Sequence, residues 1–160
     1  MALPTIRQSN AFIVLAVIGM MSYALYTQYY LFLQPCPLCI TQRLFYVLIG
    51  LFALFALLQP NKYKLYAMLA MLSAFGGMAT AGRQVWLQHL PPDQVPACGP
   101  DLGYMLETFS LSETLITMLR GDGNCAEVVW TFAGLSMGEW SLACFTGYAA
   151  ITIWQLLGRR

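Results

Sequence analysis

Gln34-Pro35-Cys36-Pro37-Leu38-Cys39-Ile40-Thr41-Gln42-Arg43 separates two long apolar runs, and the reading of this stretch decides the fold. On its N-terminal side, Ala11 to Leu33 gives 23 mostly apolar residues, and no formal charge occurs from Gln8 to Gln42. On its C-terminal side the apolar run is Ile40 to Leu58. A membrane-crossing helix needs roughly 20 such residues, whereas the apolar stretch of a cleaved signal peptide is only about 7–15. The first run is therefore read as a span and the quoted stretch as a tight turn between two spans.

Two further runs follow, Leu65 to Leu90 with Arg83 towards its end, and Trp140 to Leu157. The composition agrees: 59% of residues are hydrophobic and 9% charged, against about 25% charged in soluble domains. Lipid cannot satisfy open backbone polar groups, and no period-2 alternation suggests a barrel, so the spans are helices. The predicted fold is all-α, an integral membrane four-helix bundle in one domain over residues 1–160. Its spans are 11–33, 40–58, 65–90 and 140–157, and 91–139 forms a long loop. A Pro60-Asn61 turn signal joins spans two and three. No internal repeat or low-complexity tract is present.

Charge orients the bundle. Arg7, Lys62, Lys64, Arg159 and Arg160 fall on the side of the termini, and no acid does. All seven acids (Asp93, Asp101, Glu107, Glu113, Asp122, Glu127 and Glu139) fall in the long loop or at its edge. Basic residues flanking short loops favour the cytoplasm, so cytoplasmic termini and an external long loop are expected. Tyr29, Tyr30, Trp86 and Trp140 lie near the proposed boundaries, where aromatic belts form. The lipid bilayer is the expected environment, and no nucleic-acid partner is expected of a chain with net charge +1.

On this topology four of the five cysteines are external, where disulfides persist. Cys36 and Cys39 occupy the short turn, Cys98 and Cys125 the long loop, and Cys144 lies within span four. A Cys-x-x-Cys at a helix start is a redox arrangement. Pro37 suits the first helical position, which places Cys36 near the N-cap and Cys39 in the first turn. Free N–H groups and the helix dipole there favour a thiolate. Arg43 stands four residues, about 6 Å of helix rise, beyond Cys39 and can share its face. An arginine at membrane depth calls for a partner, such as a Cys39 thiolate, or for snorkelling to the headgroups.

Other readings of the same residues stand beside this one. Cys36 and Cys39 as a structural bridge would close too short a loop to stabilise much. The four loop cysteines as a zinc site would lack the usual ligand spacing, with 26 residues between Cys98 and Cys125, and no metal is expected. Cys98 and Cys125, each set among turn formers, read on their own as an extracellular staple. Beside a redox pair they also permit thiol exchange. Between them, Ser112 to Gly121 reads as a short amphipathic helix capped by Ser112 and ended by Gly121. It either lies in the membrane surface or packs over the span ends. His89, the only histidine, reads as a polar boundary residue with a possible proton-relay role, and Cys144 as a packing residue.

The order of these features resembles the DsbB family of disulfide-bond formation proteins over nearly the whole chain. The resemblance is carried by four spans, Cys36-Pro37-Leu38-Cys39 followed by Gln42-Arg43, Ala97-Cys98-Gly99-Pro100-Asp101, Asn124-Cys125-Ala126-Glu127 and Trp140-Ser141. It implies a multi-pass protein of the bacterial inner membrane with periplasmic cysteine loops. It also implies redox-active disulfides Cys36–Cys39 and Cys98–Cys125, and a membrane quinone (ubiquinone or menaquinone) bound near Cys39 and Arg43. The implied partner is a periplasmic thiol oxidase of the DsbA type, attacking at Cys98. Electrons would pass through a Cys36–Cys125 intermediate to Cys39 and the quinone. DsbA's known potential of about −120 mV is out of reach of ordinary structural disulfides below about −300 mV, so a quinone sink is needed. Arg83 is a further candidate for the quinone region. Vitamin-K-epoxide-reductase-like proteins also resemble four-helix thiol–quinone machines, but their expected cysteine order is the reverse of this one. The reading from another class is a non-catalytic four-span scaffold with structural disulfides.

Overall fold

The computed structural model describes residues 5–100 and 102–158, so Asp101, Arg159 and Arg160 of the charge pattern lie outside the described residues. Four helices are long and apolar enough to cross a membrane: α1 (Ile6–Tyr30), α2 (Pro37–Leu58), α3 (Tyr63–Gln88) and α7 (Met137–Leu157). A 3-10 turn, Pro60–Lys62, leads into α3, where the proline signal predicts a turn.

Two of the helices begin ahead of the apolar runs because capping boxes start them. Thr5 accepts from the Gln8 N–H while Gln8 accepts from the Thr5 N–H, so α1 begins at Ile6 and not Ala11. Ser136 and Glu139 do the same for α7, which begins at Met137 and not Trp140. At its far end α1 stops at Tyr30, short of Leu33. Phe32 takes a positive φ of 53°, and the Leu33 N–H turns back to the Thr27 carbonyl at 3.2 Å. This reversal lets Gln34 and Pro35 deliver Cys36 to the start of α2.

The long loop holds more structure than predicted: α4 (Leu102–Thr108), α5 (Leu111–Arg120), α6 (Gly123–Ala126), and a hairpin of β1 (Thr131–Phe132) and β2 (Leu135–Ser136). The predicted amphipathic helix is α5, but its cap is Ser110 and not Ser112. Ser110 pairs with Glu113 in a capping box, which adds two residues at the N-terminus. Gly121 ends it, as expected. Leu111, Leu115, Ile116 and Leu119 remain 45–83% exposed, so the chain leaves this apolar side uncovered. Ala133 and Gly134, both at positive φ, form the two-residue turn that a tight hairpin requires.

Lipid tails are as apolar as leucine, so helices in a bilayer associate through close packing more than through the hydrophobic effect. α3 shows how. Ala67, Ala70, Ala74, Gly77 and Ala81 repeat every three or four residues along one buried stripe, and α2 and α7 pack closely against α3. At Gly77 a Cβ would come within 2.2 Å of the Phe145 ring, which is fully buried and stacks on Tyr46 at 4.1 Å between centroids. Near the termini, buried Gln155 donates to Asn10 at 3.2 Å and ties α7 to α1. Phe12, Leu15, Ile18, Leu72 and Phe75, 47–69% exposed, face outwards as lipid-contacting residues do. α1 packs on α2 but scarcely on α7, which leaves a gap between α1 and α7 at the cysteine-bearing end.

Candidate functional site

The site grows from the first turn of α2. Cys36 is the N-cap and Pro37 the first helical residue, as predicted. The Cys36 sulfur accepts the Cys39 N–H at 3.3 Å, one of the donors that a helix start leaves without an intrahelical partner. The same sulfur lies 2.9 Å from the Cys39 sulfur. All five cysteines are free thiols in this structure.

A second sulfur reaches Cys36 from the loop. Asp122 caps the short helix α6, and α6 carries Cys125 into a small core with Cys36, Leu38 and Leu87. Cys36 and Cys125 lie outside the spans and polarise each other. Hydrogen bonds to Cys125 and then to Cys39, together with burial, raise the Cys36 thiol above its usual range. Cys125 is lowered, chiefly because it accepts the Cys36 hydrogen bond and further because the Leu38 backbone N–H points at it. Cys125, with a backbone donor beside it, thus stands against a sulfur of the Cys36–Cys39 pair, and such sulfur-to-sulfur contact is what thiol–disulfide exchange needs.

Cys98 is exposed on the outer side of the Cys125 turn. Its segment is tied down without any covalent link. The Gly123 N–H donates to the Ala97 carbonyl at 3.2 Å, and the Gly99 N–H donates to the Asp122 carboxylate at 3.0 Å. A Cβ at Gly123 would come 2.6 Å from the Pro96 carbonyl oxygen and 3.2 Å from the Cys98 sulfur, so only glycine admits this approach. The four loop cysteines therefore run from an exposed sulfur at Cys98, through buried Cys125 and Cys36, to Cys39.

Cys39 borders a cavity of about 430 Å³ that opens between α1 and α7. Its wall is largely apolar, with Tyr23, Trp130 and Trp140 along one side. The hairpin helps form it: Trp130 stacks near Phe132 and meets Tyr23 edge-on, and the Trp140 indole N–H donates to the Phe132 carbonyl at 2.9 Å. The polar side chains on it include Arg43, Gln42 and Gln84. Pockets of this size and polarity suit a small, mostly apolar ring system with a few polar atoms.

Arg43 shares the cavity wall with Cys39, but its guanidinium turns towards α1. It donates to the Gln28 side-chain oxygen and to the Ala24 carbonyl at 3.2 Å. Beyond Cys36, the polar side chain against the Cys39 sulfur is Gln84 of α3, whose Nε2 lies 3.4 Å away. Gln84 and Gln28 escape a reading that follows charge and cysteine. The available signal was an uncharged amide at membrane depth, which needs a partner for the same reason a charge does. Arg83 does not line the cavity. It sits 4.3 Å over the Trp86 ring and donates to the Arg120 carbonyl, docking the end of α5. His89 is exposed beyond α3, within 2.8 Å of the Val85 carbonyl, as a boundary residue. Cys144 lines the same cavity without joining the other four sulfurs.

The family model described as "Disulfide bond formation protein DsbB" matches residues 6–155 of this chain. Among curated relatives, Disulfide bond formation protein B of Hahella chejuensis is 53% identical over 140 residues, 86% of this chain and 85% of its own length. That of Saccharophagus degradans is 47% identical, covering 96% of this chain and 94% of its own. Disulfide bond formation protein B 1 of Pseudomonas aeruginosa PAO1 is 43% identical over 99% of both chains.

Proposed function

Since this chain belongs to the DsbB family of disulfide bond formation proteins, a multi-pass membrane group of thiol–disulfide oxidoreductases, we propose that it reoxidises a periplasmic DsbA-like thiol oxidase and delivers the electrons to membrane quinone. The observation that carries this reading is the contact of Cys125 with Cys36 beside the cavity that Cys39 lines.

The route starts with both pairs oxidised, Cys98–Cys125 and Cys36–Cys39. A partner thiolate attacks exposed Cys98, the Cys98–Cys125 bond breaks, and the electron pair leaves on Cys125. The Leu38 backbone N–H at the start of α2, which points at Cys125, favours that leaving thiolate. Cys125 then attacks Cys36, and the Cys36–Cys39 bond breaks with the electron pair on Cys39. The partner's second thiol displaces Cys98 and leaves as a disulfide, and Cys98 displaces Cys36 from Cys125. The outer pair is then restored and the inner pair reduced. A quinone held in the cavity would supply the sink, accepting the two electrons and two protons released as the Cys36–Cys39 bond re-forms. The cavity fits such a ring: it offers aromatic and aliphatic walls, with Arg43 and the amides of Gln42 and Gln84 to meet its oxygens. Oxidation of a dithiol by the purified chain, dependent on added quinone, tests this reading. A scaffold with structural disulfides would show none.

Arg43→Ala should lower quinone-linked turnover by about 100-fold, in KM for quinone, kcat or both, because it removes a cation from the site where negative charge grows. Arg43→Lys keeps the charge but loses the planar fork that spans Gln28 and the Ala24 carbonyl, and should lose about tenfold. Single-turnover exchange at Cys98 should stay near wild type in both. Wild-type quinone kinetics in Arg43→Ala would reduce the arginine to an anchor for α1.

We place the termini in the cytoplasm and the cysteine-bearing end in the periplasm, supported by the basic residues on the terminal side. A reporter fused after Arg160 should be cytoplasmic, and one inserted within 91–139 periplasmic. The opposite pattern would put the cysteines in a reducing compartment and end the proposal.

A further inference from the structure

The stripe of small residues on α3 ends in a residue that does not belong to it by size. Ala74, Gly77 and Ala81 lead to Gln84, one further step along the same face and only 4% exposed. A glutamine there fills space that the rest of the stripe leaves to neighbouring helices, and it must find partners for both ends of its amide.

It finds them in a fixed sense. Gln42 of α2, itself 3% exposed, donates its Nε2–H to the Gln84 Oε1 at 2.7 Å. That bond commits the carbonyl end of Gln84 to α2 and leaves its NH2 for the sulfurs. The NH2 lies 3.4 Å from the Cys39 sulfur and 3.8 Å from the Cys36 sulfur. The third wall is Gly138 of α7, where a Cβ would stand 3.2 Å from the Gln84 Cδ and 3.3 Å from its Cγ. Three helices thus aim one amide. Arg43, the cation on the same cavity wall, has its guanidinium engaged by Gln28 and Ala24 instead.

We propose that Gln84 is a catalytic residue whose amide N–H stabilises the negative charge that forms on the Cys39 sulfur when the Cys36–Cys39 bond opens, with Gln42 and Gly138 as its positioning residues. The inference rests on the thiol-exchange route given above. When Cys125 attacks Cys36, a Cys125–Cys36 bond forms, the Cys36–Cys39 bond breaks and its electron pair goes to Cys39. A hydrogen bond to a thiolate is stronger than one to a disulfide sulfur, so the donor contributes more after the bond breaks than before. That difference accelerates the step. The donor's position is set by the fold beforehand, so no reorganisation is needed when the charge appears.

The test needs no quinone. Fully reduced protein in nanodiscs is alkylated with iodoacetamide across a pH series, and mass spectrometry locates the label. Gln84→Leu should slow alkylation of Cys39 at neutral pH by about tenfold and move its pH profile towards alkali, with Cys98 unchanged. Gly138→Ala keeps every donor but crowds the Gln84 side chain, and should slow Cys39 by a smaller factor at wild-type thermal stability. An unaltered Cys39 profile in Gly138→Ala, or in a folded Gln84→Leu, would overturn the proposal. Should Gln84→Leu fail to fold, Gly138→Ala and Gln42→Leu decide between the same two outcomes. Slowed Cys39 alkylation in these variants, beside a wild-type protein that reduces no quinone, would uphold Gln84 and remove the quinone route alone.

Discussion

Cys39→Ser should abolish quinone-linked turnover, a loss on the order of 10³-fold or more, as expected when a reacting sulfur is removed. Both cysteines of the inner pair line the cavity, and Cys39 is the nearer to the Gln84 amide, at 3.4 Å against 3.8 Å for Cys36. A serine hydroxyl keeps the size of the thiol and accepts the same hydrogen bond, so the helix start and the cavity wall should survive. What it cannot do is form or release a bond to Cys36. The variant should therefore stop with the outer pair's electrons undelivered, because Cys36 holds no disulfide with residue 39 and the thiolate that a reduced partner frees on Cys125 finds no bond at Cys36 to open. Those two sulfurs already meet in the small core around Leu38 and Leu87. Cys144→Ser is the internal control. It lines the same cavity but stands apart from the other four sulfurs, and its loss should leave turnover within about twofold of wild type. Full turnover in Cys39→Ser would remove Cys39 from the route.

Replacing either outer cysteine should be as severe for the partner and mild for the quinone. In Cys98→Ser the exposed sulfur that a soluble protein can reach is gone, and in Cys125→Ser the buried sulfur that relays to Cys36 is gone. Oxidation of the partner should fall on the order of 10³-fold in each. The inner pair, reduced chemically, should still pass its electrons to quinone in a single turnover. The outer segment should hold its place in Cys98→Ser, because the Asp122 carboxylate to Gly99 and the Gly123 to Ala97 bonds are independent of the sulfur. Mixed-disulfide trapping with a single-cysteine partner, run beside quinone absorbance, separates the two halves. Normal partner oxidation in both variants would show that the inner pair is reached directly.

These roles were legible to different depths. The four spans follow from uncharged runs long enough for a bilayer, and the placement of Cys36 and Pro37 follows from what a helix start tolerates. The early starts of α1 and α7 were written in Thr5-x-x-Gln8 and Ser136-x-x-Glu139, but apolar periodicity passes over capping residues because they are polar. The hairpin carries no Asn-Gly or Asp-Gly signal. Ala133 accepts a positive φ beside Gly134, and the hairpin is held on the bundle by the Trp140 bond to the Phe132 carbonyl and by the contact of Trp130 with Tyr23, distant in sequence. Arg43 illustrates the limit of spacing arguments. Four residues along a helix place it on the face of Cys39, yet its long side chain reaches Gln28 and Ala24 on another helix. Gln84 is silent for the same reason: its role depends on Gln42, Cys39 and Gly138 arriving from two other helices.

The central claim is that partner thiols, four cysteines and quinone form one electron path, and stoichiometry tests it most directly. Purified protein in nanodiscs is given limiting quinone and an excess of reduced DsbA-type partner, and quinone absorbance and partner thiols are followed together. The account predicts one quinone reduced for each partner disulfide formed, with both signals lost together in Cys39→Ser. Partner oxidation that continues without quinone after the protein's own two disulfides per chain are spent, or quinone consumption that persists without partner oxidation, would contradict it.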